Sequence, residues 1–128
     1  MKTLAICAAA ALLPATVFAG CDNPQTTYEM QDCAARDYAA ADAELNTVYK
    51  AARDYMKWLD QDVPENLKGA PDALRAAQRA WIPFRDAACV AEGFQFRGGS
   101  MESLIVLACK TELTRQRTEQ LRFLAESQ

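Results

Sequence analysis

The feature of the sequence that most constrains its fold is the stretch LRAAQRAWIPFRDAAC at residues 74–89. It is long enough for about four helical turns, and helical spacing places five of its residues on one side. These residues are Leu74, Gln78, Trp81, Arg85 and Cys89. A stripe that combines a guanidinium, an amide and a thiol with a large indole is not the usual charged outer face of a surface helix. We therefore expect other helices to supply partners for these side chains.

A first helix is predicted upstream of this stretch. Thr26 followed by Glu29 has the pattern of a capping box, and no Pro or Gly interrupts the chain from there to about Leu59. Apolar residues recur at helical spacing along this run, with Asp37 as the one charged residue among them. Most of the small residues in this stripe are Ala, which lets a neighbouring helix approach closely.

Two more helices complete the predicted fold. Pro71 suits the first turn of the second helix and Gly93 its end, while Pro83 predicts a kink because the apolar stripe continues in phase on both sides. The third helix is expected from Met101 to the neighbourhood of Ala125. Its apolar positions include Ile105, Cys109, Leu113, Leu121 and Leu124. Three long amphipathic helices with short connections predict an all-α protein, a small antiparallel three-helix bundle.

Polar side chains on these apolar stripes predict an internal network. Its expected members are Asp37, Asp42, Asn46, Gln78, Trp81, Arg85 and Arg117. A rise of about 1.5 Å per residue brings Asp37 and Arg85 to similar heights, so we expect these two to pair. A second cluster is expected to consist of Gln78, Arg117 and either Asp42 or Asn46. Burying an arginine without an acceptor is costly, which makes such pairing close to a requirement.

The first nineteen residues have the pattern of an export signal. Lys2 provides the positive start, a mostly apolar segment too short to span a bilayer follows, and Ala19 closes a small-residue cleavage site. We therefore expect residues 1–19 to be a signal peptide and residues 20–128 a single periplasmic or secreted domain without a transmembrane segment. A lipid anchor on Cys21 is the less favoured alternative, because Phe18 fits lipoprotein cleavage sites poorly.

The predicted domain retains four cysteines, which are Cys21, Cys33, Cys89 and Cys109. In an oxidising compartment, four thiols in a small domain predict two disulfides, for which three connectivities are open. All four lie near the same end of the predicted bundle, and we favour the sequence-local pairs. The pairing of Cys33 with Cys89 and of Cys21 with Cys109 also fits this geometry. A zinc site is the rival interpretation, but the chain has no CxxC pair and no histidine.

Charge bears on the class of partner. Without residues 1–19 the chain carries 13 basic and 17 acidic side chains. It lacks a basic stripe with interleaved aromatic residues, which is the pattern that would predict nucleic-acid binding. Residues 20–65 hold 10 acidic and 4 basic side chains, whereas residues 66–128 hold 7 acidic and 9 basic ones. The acidic first part could steer a cationic protein partner. The simpler interpretation is a solvated helix face that keeps the protein soluble.

The sequence offers no recognisable set of catalytic residues. It has no histidine, which removes the usual general base and metal ligand. Its carboxylates are expected on solvated helix faces, and Ser100 lacks both a GxSxG context and a base. We therefore expect a binding protein rather than an enzyme, with no metal and no cofactor.

Short motifs along the domain resemble those of one bacterial family. In the first half they are Cys21, Thr26, Glu29, Met30, Cys33, DAELN at residues 42–46, and Tyr49. In the second half they are QRAW at 78–81, RDAAC at 85–89, GGS at 98–100, Cys109, Leu113, Thr114 and Arg117. With these motifs in this order, the chain resembles the lysozyme-inhibitor LprI-like family of exported proteins. Pro83 departs from the expected pattern, which concerns only the straightness of the second helix.

The resemblance implies an exported α-helical protein that inhibits lysozyme. Animal-type lysozymes are strongly cationic and have an acidic catalytic cleft. We expect that cleft to be contacted by a loop whose residues include Phe94, Phe96, Arg97, Gly98, Gly99 and Ser100. The alternative for this loop is one that closes the bundle with both phenylalanines packed inward. The alternative for the whole chain is a noncatalytic module that interacts with or stabilises the cell envelope and has no lysozyme target.

Overall fold

The computed structural model describes residues 21–126, and this part of the chain is an all-α three-helix bundle. The helices are α1 (Thr27–Leu59), α2 (Ala70–Gly93) and α3 (Glu102–Glu126). Short 3-10 turns at Glu65–Leu67 and Phe94–Phe96 lie in the two connections, and residues 21–126 contain no strand. The predicted fold class is confirmed. The expected signal peptide at residues 1–19 lies outside the described residues.

Local hydrogen bonds start α1 where the sequence pattern predicts. The Oγ1 atom of Thr26 accepts from the Glu29 N–H at 3.2 Å, and the Glu29 carboxylate accepts from the Thr26 N–H at 3.1 Å. This reciprocal pair is a capping box, which satisfies backbone donors that have no partner within the helix. The same carboxylate also accepts from the Gln25 N–H at 2.7 Å, so the lead-in segment is tied to the first turn.

The start of α2 is held by the end of α1. Asp60 caps the C-terminus of α1, and its carboxylate accepts from the N–H groups of Gly69 at 2.9 Å and Ala70 at 3.3 Å. Gly69 has a φ of 133°, a conformation that disfavours a side chain, and thereby lets the chain turn back. The helix then runs without a break through Pro83 to Gly93.

Helix α1 runs parallel to α3, and α2 runs antiparallel to both. Near the starts of α1 and α3, the Gln31 side chain donates to the Ser100 carbonyl at 2.8 Å. Farther along the same two helices, Arg122 contacts Glu44 at 2.7 Å. Helix α3 packs mainly on α1, and α1 meets α2 least extensively. The bundle therefore has the up-down-up order expected of helices joined by short connections.

The interior is apolar at one end and polar in the middle. The buried apolar cluster comprises Leu45, Val48, Ala52, Leu74 and Leu121. In the middle, α3 buries Thr111, Thr114 and Thr118, which the apolar pattern of that helix does not predict. The hydroxyls of Thr111 and Thr118 each donate to the carbonyl four residues earlier, at 2.9 Å. These local bonds satisfy the hydroxyls and make their burial inexpensive.

Two disulfides join the sequence-local cysteine pairs. Cys21 is bonded to Cys33, and Cys89 to Cys109, with Cα atoms 5.5 and 5.4 Å apart. The first ties the segment before α1 to that helix, and the second ties α2 to α3. Within residues 21–126 no cluster of side chains has the composition of a metal site. Nor does any helix of that region combine the length and apolar character needed to cross a bilayer.

Candidate functional site

Arg85 on α2 is the centre of the polar middle of the bundle. Its side chain is only 6% exposed, and its Nε atom donates to the Asp86 carboxylate at 2.9 Å. One terminal nitrogen, Nη1, lies 3.5 Å from Asp42 on α1 and 3.4 Å from the Thr114 hydroxyl on α3. Arg85 therefore joins all three helices. Buried arginines are retained at low cost only with this kind of multiple pairing.

Aromatic rings enclose the Arg85 guanidinium. Its central carbon lies 5.3 Å from the centre of the Tyr38 ring and 5.1 Å from the Trp81 ring. Both distances are within the range in which the face of an aromatic ring attracts a cation. Trp81, which was expected in the internal network, lies beside the arginine one turn farther along α2.

A second cation completes this cluster. Lys110 on α3 lies 3.2 Å from the Asp86 carboxylate and 5.9 Å from the Tyr38 ring centre. Desolvation opposes the ionisation of Asp86, but hydrogen bonds from Arg85 and Lys110 outweigh it and lower the pKa of Asp86 below its ordinary value. Asp86 therefore stays ionised between two cations.

The pairing within the expected network differs from the prediction at Asp37. The carboxylate that meets Arg85 from α1 is that of Asp42, five residues farther along, and Asp37 is exposed. Estimating height along the helix axis did not resolve the direction in which each side chain points. Asp37 instead lines a shallow groove between α1 and α3 that also includes Arg115. Asn46 is exposed as well, and its amide donates to Asp42 at 3.4 Å.

The Gln78–Arg117 part of the second expected cluster is present between α2 and α3. Of its two candidate members on α1, Asp42 lies against Arg85 instead and Asn46 donates to Asp42. The Nε atom of Arg117 donates to the Gln78 side-chain oxygen at 3.1 Å, and Nη1 donates to Gln120 at 3.1 Å. Burial lowers the pKa of Arg117 from the ordinary arginine value, which leaves the side chain charged at neutral pH. Gln78 is itself buried and accepts this charged donor. These side chains connect α2 and α3 at a level between Arg85 and the start of α2.

The connection between α2 and α3 forms an ordered tip at the disulfide end of the bundle. We use the name tip for residues 94–100. Phe94 is 57% exposed and Phe96 is 41% exposed, so the phenylalanines do not pack inward as the alternative interpretation required. The Arg97 guanidinium lies 4.6 Å from the Phe94 ring centre and 2.9 Å from the Glu102 carboxylate. The tip presents a cation and aromatic surface to solvent.

Glu102 and two glycines determine the path of the tip. The Glu102 carboxylate accepts from the Gly98 N–H at 2.8 Å, and this bond, with the charge of Arg97, lowers the pKa of Glu102. Gly98 has a φ of 76°, which is unfavourable for other residues, and Gly99 donates to the Phe96 carbonyl at 2.9 Å. Ser100 contributes its backbone carbonyl to Gln31. The tip is thus preorganised.

Sequence reasoning missed several members of the Arg85 cluster. Asp86, Tyr38, Lys110 and Thr114 belong to this cluster and were not expected in the network, whereas Asp42 and Trp81 were. Asp86 was recoverable, because it directly follows Arg85 in the RDAAC motif. The arrangement holds the three helices together, and the tip lies exposed at one end of the bundle. Among residues 21–126 it does not pair a nucleophilic side chain with a base.

Comparison with known proteins identifies relatives over most of the chain. A family model described as lysozyme inhibitor LprI matches residues 21–121. An uncharacterized protein of Rhizobium meliloti (strain 1021), R02472, is 44% identical over 110 residues, which cover 84% of this chain and 79% of that protein. The uncharacterized protein YecT of Escherichia coli (strain K12) is 30% identical over 116 residues, which cover 84% of this chain and 69% of YecT. No solved structure matches.

Proposed function

Because the chain belongs to the LprI family of lysozyme inhibitors, we propose that it is an exported protein that binds and inhibits a cationic lysozyme. Its two disulfides fit an oxidising compartment, and residues 1–19 have the pattern of an export signal. The protein is then periplasmic or secreted, and its partner is a protein. Its role is binding rather than catalysis.

The exposed tip is the observation that supports a site for this activity. Arg97 is 62% exposed in its side chain although it is bonded to Glu102. A guanidinium has five N–H donors, so the bond to Glu102 leaves others for a second carboxylate. Lysozymes carry a pair of catalytic carboxylates in their cleft. In our proposal Arg97 binds one of them, while Phe94 and Phe96 fill the apolar part of the cleft.

Preorganisation strengthens this proposal. A loop that is already ordered loses little conformational freedom on binding, which favours affinity. Glu102 holds both Arg97 and the Gly98 backbone, and Phe94 lies against the guanidinium. The acidic segment 20–65 adds long-range attraction to a cationic enzyme, which raises the rate of association more than the final affinity.

A cell-wall turbidity assay tests the inhibitory activity. The purified, disulfide-bonded protein is mixed with an animal-type lysozyme, and we expect slower clearing as its molar ratio to the enzyme rises. No slowing at high molar excess would remove the proposed function for that lysozyme and favour an envelope module without a lytic target.

Variants of the tip test the proposed contact. Arg97→Glu should weaken inhibition by about tenfold or more, because it sets a carboxylate against the catalytic carboxylates. Arg115→Glu is the matched control, since Arg115 is also exposed but lies in the middle of α3. Binding measured by isothermal titration should follow the same order. Equal inhibition by both variants would show that the tip is not the contact surface.

A further inference from the structure

A groove opens between α1 and α2, the two helices that meet least extensively. Its volume is about 340 Å³, which is within the range of sites that hold small molecules. We name it the α1–α2 groove and define it by six of its lining residues: Leu45, Asn46, Tyr49, Gln78, Arg79 and Ile82. All of them except Ile82 fall within the sequence motifs, so motifs from both halves of the chain meet in this groove.

Hydrogen-bond donors without partners line the groove. Gln78 is only 9% exposed, and its side-chain oxygen accepts from Arg117 at 3.1 Å. This bond fixes the amide group, whose nitrogen has no hydrogen-bond partner among residues 21–126. Tyr49 is half-buried against the apolar cluster, and its hydroxyl also lacks a partner in the described part of the chain. Because buried polar groups are normally hydrogen-bonded, an open amide donor in a groove indicates a ligand that accepts hydrogen bonds.

Arg79 makes the α2 side of the groove positively charged. It is exposed, and within residues 21–126 it forms no ion pair. Arg75 lines the groove one turn earlier, about 6 Å away along the helix. Its contact with Asp72 at 3.0 Å joins two exposed side chains, and such surface pairs are weak. Both guanidinium groups therefore have N–H donors available to one ligand.

The α1 side of the groove provides acceptors and an apolar surface. The Asp42 carboxylate lines the groove, and its charge is balanced by Arg85 at 3.5 Å. The amide nitrogen of Asn46 donates to Asp42 at 3.4 Å, which leaves the Asn46 oxygen as an acceptor. Leu45 from α1 and Ile82 from α2 add apolar contacts. The groove thus suits an organic molecule that carries both a negative charge and hydroxyl groups.

We propose that the α1–α2 groove binds a small hydroxylated organic anion, such as a sugar acid or a sugar phosphate. Arg75 and Arg79 bind its anionic group, since guanidinium donors match the oxygens of a carboxylate or a phosphate. The Gln78 amide and the Tyr49 hydroxyl donate to the ligand, and the Asn46 oxygen accepts from its hydroxyls. This proposal goes beyond lysozyme inhibition and does not depend on it, because the tip is a separate surface.

Chemical-shift titration by NMR of the disulfide-bonded protein tests the binding. The probes are gluconate and glucose 6-phosphate, with glucose as the uncharged control and inorganic phosphate as the control without an organic part. We expect saturable shifts in residues 42–49 and 75–85 with at least one organic anion, and binding weaker by about tenfold or more for both controls. The tighter organic anion identifies the anionic group as carboxylate or phosphate. Equal affinity for glucose or for inorganic phosphate, or shifts that do not saturate, would overturn the proposal.

Variants of the groove test which residues bind the tighter probe. Arg79→Gln should weaken its binding by about tenfold or more, because hydrogen bonds from a charged donor are among the stronger ones. Tyr49→Phe removes a neutral donor and should weaken binding by about threefold. Arg115→Gln is the matched control, since Arg115 is an exposed arginine on α3 outside the groove. Circular dichroism checks that each variant is folded.

Two results would contradict the proposed site. One is an affinity that neither Arg79→Gln nor Tyr49→Phe changes, which would place the ligand outside the groove. The other is an equal loss of affinity in Arg115→Gln and Arg79→Gln, which would show attraction to positive charge in general rather than a defined site.

Discussion

Substitution of Arg85 tests whether the buried cation holds the helices together through its pairing or through its bulk. Arg85→Ala removes the guanidinium and the aliphatic stem, which leaves a cavity beside Tyr38 and Trp81. Arg85→Met restores most of the stem without the charge. If the packing of the side-chain stem contributes more than the ion pairs, the apolar variant should be tolerated far better than the small one.

The magnitudes follow from burial. Removing one partner of a buried ion pair costs about 3–5 kcal/mol. Both variants lose this pairing, but Asp42 and Asp86 are 43% exposed in their side chains and can be rehydrated, so we expect the lost pairing to cost only about 1 kcal/mol. The cavity left by Arg85→Ala should raise the total for that variant to about 2–3 kcal/mol. For Arg85→Met, which keeps the packing of the stem, we expect about 1 kcal/mol. In a domain of this size, 1 kcal/mol corresponds to about 4–8 °C in Tm.

Thermal and urea unfolding followed by circular dichroism measure both variants. We expect Arg85→Ala to melt at least about 10 °C below the parent and Arg85→Met about 5 °C below it. Arg115→Ala, at an exposed position on α3, serves as the control and should change stability by less than about 0.5 kcal/mol. Equal losses of stability in Arg85→Met and Arg85→Ala would refute the view that an apolar side chain of similar size can replace Arg85 at this site.

Two further predictions concern acid stability and helix packing. The pKa of Asp86 is lowered in the folded protein, so its contribution to stability is present above the unfolded pKa near 4 and disappears as the pH falls through the folded value. Asp86→Asn should therefore be less stable than the parent at pH 7 and approach it as urea titrations move below about pH 4. Gly93→Ala should destabilise by about 1–3 kcal/mol in the same assay, because the added Cβ would lie 2.7 Å from a methyl group of Val106. A stabilised Gly93→Ala protein would mean that helix propensity outweighs this contact.

Local signals were sufficient to predict the helices, and they favoured, without excluding the alternative, the cysteine pairs that the structure contains. The capping box at Thr26 and Glu29 appears in the structure with both of its hydrogen bonds. The helical spacing of α2 correctly identified Leu74, Gln78 and Arg85 as buried. Such features depend on a few neighbouring residues, so they can be read from one sequence.

The pairing of polar side chains across helices could not be predicted as well. Asp37 lies on the apolar stripe of α1 by spacing and Asp42 lies at its edge, and only the rotation of α1 against α2 determines that Asp42 reaches Arg85. On α3 the apolar pattern indicated Leu113 as inward, whereas Thr114 next to it is fully buried. A threonine can be buried at this position because its hydroxyl forms a hydrogen bond within its own helix or with a buried cation. The periodicity of apolar residues does not reveal such hydrogen bonds.

The residues that identify the family are therefore mostly those that hold the scaffold. Gln78, Arg85, Cys89 and Thr114 belong to the motifs and are buried, whereas Phe94 and Arg97 lie outside the motifs and are exposed. Family membership thus accounts for the bundle more directly than for the surface that we propose contacts lysozyme. It follows that substitutions at Arg85 should lower the amount of folded inhibitor without changing inhibition per folded molecule. Substitutions at the tip should do the reverse, so the two measurements together separate scaffold from contact surface.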